Sequence, residues 1–153
     1  DYTRFGMKEL EHDYVSESVF NLSRFIERFG KEAVPIFTTN ATATTYGNSN
    51  DKVVPDINYA ATACGLGVVG LNGLFLTERF GPRQKFQMIV TDAEFESDPL
   101  VTRKLCDECG VCKKSCPLHA IKDETDTFNV CGLEVPVARV NYGACAVCKE
   151  SDR

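Results

Sequence analysis

Apolar side chains recur every three or four residues between about Asp13 and Phe29, and this spacing predicts an amphipathic helix. Gly30 follows where a C-terminal cap belongs, which marks the end of the helix. We expect this helix to be part of the scaffold rather than to carry chemistry. Its apolar positions are Val15, Val19, Leu22, Phe25, Ile26 and Phe29.

Two shorter segments have the pattern of strands. Ala33 to Phe37 is apolar apart from its proline, which favours an edge strand. From Lys85 to Thr91 apolar and polar residues alternate, so we expect a strand with one buried face, which includes Val90. The polar stretch from Thr38 to Asp51 is expected to be a long loop, a kind of segment that often has a function.

A second helix is predicted from Asp56, a suitable N-cap residue, through Tyr59 to Cys64. It leads into the glycine-rich segment, residues 65–73, which has four glycines. Their spacing includes that of a dinucleotide-binding loop, but such a loop follows a strand, and this one follows a helical pattern. The glycines therefore indicate a tight turn or the close approach of something flat or bulky. Cys64 is expected to be a small buried residue, with metal ligation as the alternative.

The chain has 153 residues, enough for one to two domains. An acidic linker from Asp92 to Asp98 ends at Asp98-Pro99, so we predict one domain at residues 1–98 and a second at residues 99–153. No window of 18 consecutive apolar residues occurs, and no membrane span is predicted. Because the sequence starts at Asp1 rather than Met, we expect the natural start to be missing or removed.

The charge balance bears on the partners. A net charge of -5 and a pI near 5.1 argue against a dedicated nucleic-acid binder, which normally carries a basic face. Lys113 and Lys114 form a short basic pair, which is either a solvated edge or a docking rim for an acidic redox partner.

Seven of the eight cysteines lie from position 106 onward. Cys106, Cys109, Cys112 and Cys116 are separated by two, two and three residues, and Pro117 follows the last one. This is the bacterial iron-sulfur run, in which three thiolates ligate one cluster and the fourth ligates another. Zinc is the rival metal, although zinc sites usually present two separate cysteine pairs. Disulfides do not require this register, so we expect reduced thiols and a reducing compartment, most simply the cytoplasm.

Further motifs precede the cysteine run in a defined order. They are the segment from Ala60 to Gly73, Leu76-Thr77, Phe80 to Arg83, Val90 to Asp92 and Asp98-Pro99. Together with the run they resemble the superfamily of epoxyqueuosine reductases and corrinoid reductive dehalogenases, over roughly residues 52–148. The resemblance implies an α+β chain: a partial α/β domain of the nitroreductase-related, corrinoid-binding type, followed by a ferredoxin-like domain with two 4Fe-4S clusters.

The resemblance also implies roles for residues outside the cysteine run. Gly65, Gly67 and Gly70 would approach the corrin ring of a bound cobalamin. An acidic residue upstream of the glycine-rich segment serves as the proton donor in epoxyqueuosine reductases, and by residue count this is Asp51, with Asp56 as its rival.

The same resemblance implies how two clusters share their ligands. One set would be Cys116, Cys131, Cys145 and Cys148. The other set would be Cys106, Cys109, Cys112 and Asp152. A carboxylate holds iron less firmly than a thiolate, so the second cluster is expected to lose an iron easily and give a 3Fe-4S form. Cys64 and a cysteine beyond Arg153 are the alternatives to Asp152.

Two functions of different class remain open. The first is an iron-sulfur oxidoreductase that passes low-potential electrons through two 4Fe-4S clusters to a corrinoid, for reduction of a small substrate. The second is a cobalamin-free, ferredoxin-type electron-transfer protein or subunit. Both need a redox partner protein as electron donor, and the acidic balance argues against a tRNA substrate because phosphate contacts need Lys and Arg.

Overall fold

The computed structural model describes residues 2–36 and 56–150, with side chains over 10–36 and 56–148. Within these ranges the chain forms helices and three separate two-stranded antiparallel sheets. The helices are α1 (Tyr2–Glu27), α2 (Ile57–Ala63), α3 (Val111–Lys114) and α4 (Tyr142–Glu150). The strands are β1 (Ala33–Ile36), β2 (Val68–Val69), β3 (Phe75–Leu76), β4 (Met88–Thr91), β5 (Ile121–Val130) and β6 (Leu133–Val140).

The chain divides into two compact units, each built from two stretches of sequence. The first unit is Asp1–Ile57 with Gln84–Ser97, and the second unit is Asn58–Arg83 with Asp98–Arg153. The predicted boundary at residue 98 coincides with one edge of the second unit. The glycine-rich segment, however, which we expected in the domain 1–98, belongs to the second unit together with the cysteine run.

In the first unit, α1 packs against β1 and β4. The helix has the predicted three-and-four spacing, and it begins well before Asp13. Only part of its apolar stripe is covered, because a two-stranded sheet shields a narrow strip of a helix. Val15, Val19 and Ile26 lie on the less exposed side, whereas Leu22, Phe25 and Phe29 are 51%, 53% and 70% exposed.

The sheet of the first unit pairs all four residues of β1 with those of β4. The strand predicted over residues 85–91 is thus observed as β4, which starts at Met88 opposite Ile36. The expected buried face is wrong at Val90. This residue pairs with Val34, and both side chains are more than half exposed.

The second unit has a small apolar core to which three segments contribute. α2 is observed as predicted and ends in a turn at Gly65, whose φ of 73° is left-handed. Cys64 lies just beyond the last helical residue and is exposed, so the expectation of a buried cysteine is wrong. The buried apolar residues of this unit are Ala61, Val69, Leu71, Phe75, Ala120, Val130, Val135 and Ala138.

The largest element of the second unit is a β-hairpin that we did not predict. Its strands β5 and β6 are joined by the two-residue turn Cys131-Gly132, with φ values of 52° and 89°. Two left-handed central residues are the mark of a type I′ turn, whose twist suits a tight hairpin. Across the strands the Arg139 guanidinium donates to both carboxylate oxygens of Asp126, at 2.7 to 3.1 Å.

No helix among the described residues combines the length and the apolarity needed to cross a lipid bilayer.

Candidate metal centre

The backbone of the cysteine run bends sharply around Cys109. Glu108 and Gly110, on either side of it, both have left-handed φ angles, 56° and 72°. The Asp107 carboxylate accepts the backbone N–H of Cys109 at 3.2 Å, which fixes the bend as an Asx turn. Hydrogen bonds from the thiol and the backbone N–H of Cys109 lower the pKa of Asp107. The turn leaves Cys109 exposed, whereas the other three cysteines of the run are half-buried.

Backbone amides converge on the sulfur of Cys116. The chain after Pro117 turns back through His119, which has a left-handed φ of 48°. As a result the N–H of Ala120 donates to Cys116 Sγ at 3.2 Å. This hydrogen bond is the main reason that the pKa of the Cys116 thiol lies below its usual value, and the N–H groups of the neighbouring residues add to it. These hydrogen bonds shift the equilibrium of the Cys116 thiol toward the thiolate, which is the form that ligates metals.

Cys106 receives a hydrogen bond from a distant part of the sequence. The backbone N–H of Leu71, in the glycine-rich segment, donates to Cys106 Sγ at 3.4 Å. Cys106 also forms part of the wall of a cavity of about 400 Å³ inside the second unit. Apolar side chains such as Val69, Leu105 and Val135 line this cavity, and its volume is in the range of small-molecule sites.

The downstream pair lies on α4, which starts beside the end of the cysteine run. Ala120, whose N–H serves Cys116, accepts the N–H of Asn141 at 2.8 Å. The Asn141 carbonyl in turn accepts the N–H of Cys145 at 3.0 Å. A short series of hydrogen bonds thus connects Cys116 with Cys145, and Cys148 follows three residues later on the same half-buried side of α4.

Cys131 is placed differently from the other expected ligands. It lies at the tip of the β5–β6 hairpin, whose opposite end is the pair Ile121–Val140. Strand β5 has ten residues, so at roughly 3.3 Å per residue the tip is about 30 Å from the end near Cys116. The structure therefore does not bring Cys131 together with Cys116 and Cys145.

The remaining expected site residues are distributed as follows. Asp51 and Asp152 lie outside the described residues. Asp56 directly precedes α2, is half-buried, and belongs to the first unit, whereas the glycine-rich segment belongs to the second.

The space beside each of the three expected corrin-contacting glycines is filled by the chain itself. A Cβ at Gly67 would lie 2.1 Å from the Leu76 carbonyl oxygen, and one at Gly65 would lie 2.6 Å from the Pro99 carbonyl oxygen. At Gly70 it would meet the Leu76 side chain at 2.9 Å. The close approach that the glycines predict is thus made, on the Cβ side of each glycine, by protein atoms.

The donor chemistry of the cysteine run does fit an iron-sulfur cluster. Four thiols with the required spacing lie on one turn-rich stretch, and two of them receive backbone N–H groups, which is how proteins stabilise sulfur ligands. The ligands are not drawn together as in a loaded site. Among residues 2–36 and 56–150, no three Cys, His, Asp or Glu side chains are grouped closely enough to hold a metal ion.

The sequence is similar to known tetrachloroethene reductive dehalogenases. It is 31% identical over 115 residues to those of Dehalobacter restrictus and Desulfitobacterium hafniense. The matched stretch is 73% of this chain and 18% of the length of either relative, so the chain corresponds to a small part of those proteins. The similarity supports a relationship to the reductive dehalogenases.

No model of a protein family matches the chain. No solved structure matches it either.

Proposed function

We propose that this chain is the iron-sulfur electron-transfer part of a redox protein related to the reductive dehalogenases. The observation that carries the proposal is the cysteine run with backbone N–H groups directed at Cys106 Sγ and Cys116 Sγ. The similarity to proteins named as reductive dehalogenases supports a reductive role. The ferredoxin-like fold of residues 99–153 and the nitroreductase-related fold of the first domain are part of this proposal.

In this function the cysteines of the run would hold a cluster, and nearby backbone N–H groups would stabilise their sulfurs. An iron-sulfur cluster, when bound, supplies reversible one-electron transfer. Cys106, Cys109 and Cys112 would hold it through their thiolates. The backbone N–H groups of Leu71 and Ala120, which donate to Cys106 Sγ and Cys116 Sγ, would offset the negative charge of these sulfurs. Cys109 is the exposed member, so it marks the side at which an electron-donor protein exchanges electrons.

The sharing of ligands between two clusters is a finer proposal. Hydrogen bonds that connect the end of the run with the start of α4 support Cys116, Cys145 and Cys148 as members of one set. Cys131, at the far end of the hairpin, is not supported as their fourth partner. Asp152, expected as the fourth ligand of the Cys106 set, lies outside the described residues, and Cys64 stays its alternative.

The next electron acceptor distinguishes the two functions. In a corrinoid reductase it would be cobalamin, which the similarity to the dehalogenases supports. In a cobalamin-free electron-transfer protein it would be a partner, which is supported by the packed space beside Gly65, Gly67 and Gly70. We favour electron transfer as the role of this chain and derive no step through a corrinoid. Proton donation by Asp51 or Asp56 belongs to the first function and stays a prediction.

Metal analysis tests the proposal. The protein, purified without oxygen, is expected to contain iron and acid-labile sulfide and to show a broad cluster absorption. Cys112→Ser is expected to lose iron, whereas Ser115→Ala, in the same stretch, serves as the matched control and should keep it. Stoichiometric zinc without sulfide would refute the iron-sulfur function, and resolved corrinoid bands with cobalt would favour the first function over the second.

A further inference from the structure

The backbone of Leu71 connects two parts of the second unit. Its carbonyl accepts the N–H of Ala138, in β6, at 2.8 Å. Its N–H donates to Cys106 Sγ at 3.4 Å. Leu71 is only 7% exposed, so water competes little for either bond. The backbone of one buried residue thus ties the hairpin β5–β6 to the first cysteine of the run.

The donor is held in place by its own turn. The N–H of Gly70 donates to the Leu74 carbonyl at 2.8 Å, and the N–H of Gly73 donates to the Gly70 carbonyl at 2.9 Å. Val69 and Phe75, both buried, pair across this turn as part of β2 and β3. The N–H of residue 71 therefore projects from a fixed loop rather than from a flexible one.

The glycines allow this loop to pack closely. Gly67 lies against the backbone of β3, and Gly65 lies against Pro99, seven residues before Cys106. Any side chain at Gly67 would displace backbone, because its Cβ would be 2.1 Å from an oxygen. The glycine-rich segment is thus shaped to sit against the chain that leads into the cysteine run.

We propose that the backbone N–H of Leu71 positions Cys106 and raises the reduction potential of the cluster that this thiolate ligates. Reduction adds negative charge to the cluster and its sulfurs, and an N–H dipole aimed at a sulfur stabilises that charge. The glycine-rich segment then acts on the metal centre through its backbone. The inference rests on the proposed iron-sulfur function.

A single-atom change in the backbone tests it. Leu71 is replaced by its α-hydroxy analogue, so that an ester oxygen takes the place of the N–H and the side chain is kept. The matched control is the same replacement at Leu66, whose N–H donates to the Ala61 carbonyl at 3.1 Å and not to sulfur. The midpoint potential of each anaerobic protein is measured by titration with dithionite.

We expect the replacement at Leu71 to disfavour the reduced state about tenfold, a fall of roughly 59 mV for one electron. The Leu66 control should stay at the wild-type potential. Equal potentials in all three proteins, at equal iron content, would overturn the inference and leave the proposed function intact. A wild-type protein without iron and sulfide would overturn both.

A second measurement applies if the ester protein does not fold. Protein labelled with [15N]leucine is reduced and studied by pulsed electron paramagnetic resonance, which detects nitrogen nuclei close to the cluster. The conservative variant Leu71→Ile removes the label from one donor, and Leu105→Ile, beside Cys106, is the control. A coupling lost only in Leu71→Ile supports the inference. A spectrum unchanged by Leu71→Ile refutes it.

Discussion

The two compact units bury their side chains very differently. In the first unit the large apolar residues are mostly exposed, Tyr14 of α1 at 72% and Phe29, just beyond α1, at 70%, whereas Ser23 of α1 is buried. In the second unit Val69, Leu71 and Phe75 are at most 7% exposed. The second unit thus has its own core, built around the segments that contact the cysteines. We infer that stability and redox chemistry are concentrated in the same unit.

Among these predictions, removal of iron is expected to have the largest effect, because it should unfold the cysteine-containing part of the chain and leave α1 folded. Ligand binding to the folded state supplies folding energy, so chelation is expected to unfold residues from about 100 onward while α1 stays helical. Limited proteolysis and circular dichroism at equal protein concentration would show it. If iron-free protein resists protease at the cysteine run as well as loaded protein does, the coupling between metal and fold is wrong.

The cysteine variants have the next largest effect. Cys116→Ser is expected to lower the iron content sharply. The reason is that the N–H of Ala120 already donates to the Cys116 sulfur and the N–H groups of neighbouring residues also point toward it. Cys131→Ser, at the hairpin tip, is the matched control and should keep the wild-type iron content. Iron lost equally in both variants would show that Cys131 ligates metal after all, and that the hairpin rearranges on loading.

A pair of phenylalanine substitutions, one in each unit, compares how much a buried and an exposed side chain stabilise the fold. Phe75→Ala, at a position 4% exposed, is expected to cost about 3–5 kcal/mol of unfolding free energy. Phe29→Ala, at a position 70% exposed, should change it by no more than about 0.5 kcal/mol. Urea denaturation of the two variants measures the difference. Similar losses in both would mean that Phe29 is covered in solution.

The smallest expected effect concerns pH and the hairpin. Hydrogen bonds from Arg139 lower the pKa of Asp126 below its usual value. Because the folded-state pKa is depressed, this stabilisation is complete above the unfolded pKa of about 3.9 and is lost as pH falls through the folded one. Melting temperatures of wild type and Arg139→Gln should therefore differ at neutral pH and converge in acid. A constant difference down to pH 2 would exclude the ion pair as its cause.

Sequence periodicity predicted the local elements of the fold better than their burial. The three-and-four spacing before Gly30 gave α1, and alternation gave the strand that ends at Thr91. Periodicity indicates which side chains share a face, but not whether another element covers that face. This is why Phe29, on the predicted apolar side of the helix, and Val90, on the strand face expected to be buried, are both exposed.

The hairpin β5–β6 was missed for a different reason. Its turn residues are Cys131-Gly132 rather than the Asn-Gly or Asp-Gly that usually announce a type I′ turn. The valines at 130, 135 and 137 are β-branched, so a strand signal was present. The family resemblance assigned Cys131 as a ligand, so its place in the turn was not considered.

The candidate site likewise has a part that the sequence predicts, the thiols, and a part that it does not, the backbone N–H of Leu71. The spacing of the cysteine run predicts metal-ligating thiols, because iron-sulfur ligand sets have a characteristic residue type and separation. This assignment stays a prediction. The N–H of Leu71 on Cys106 Sγ could not be found that way, because every residue except proline has an N–H. Only the tertiary fold selects this one across 35 residues of sequence.

The tight turn at the end of the hairpin also provides a position from which the distance to a cluster can be measured. In cluster-loaded protein the ligating thiols are protected, so that after Cys64→Ala the exposed Cys131 is the thiol left for a nitroxide label. The label would stand about 30 Å from the end of the hairpin near Cys116, at the far end of two paired strands. Dipolar spectroscopy between the nitroxide and a reduced cluster would then read out directly how far the hairpin tip lies from the electron.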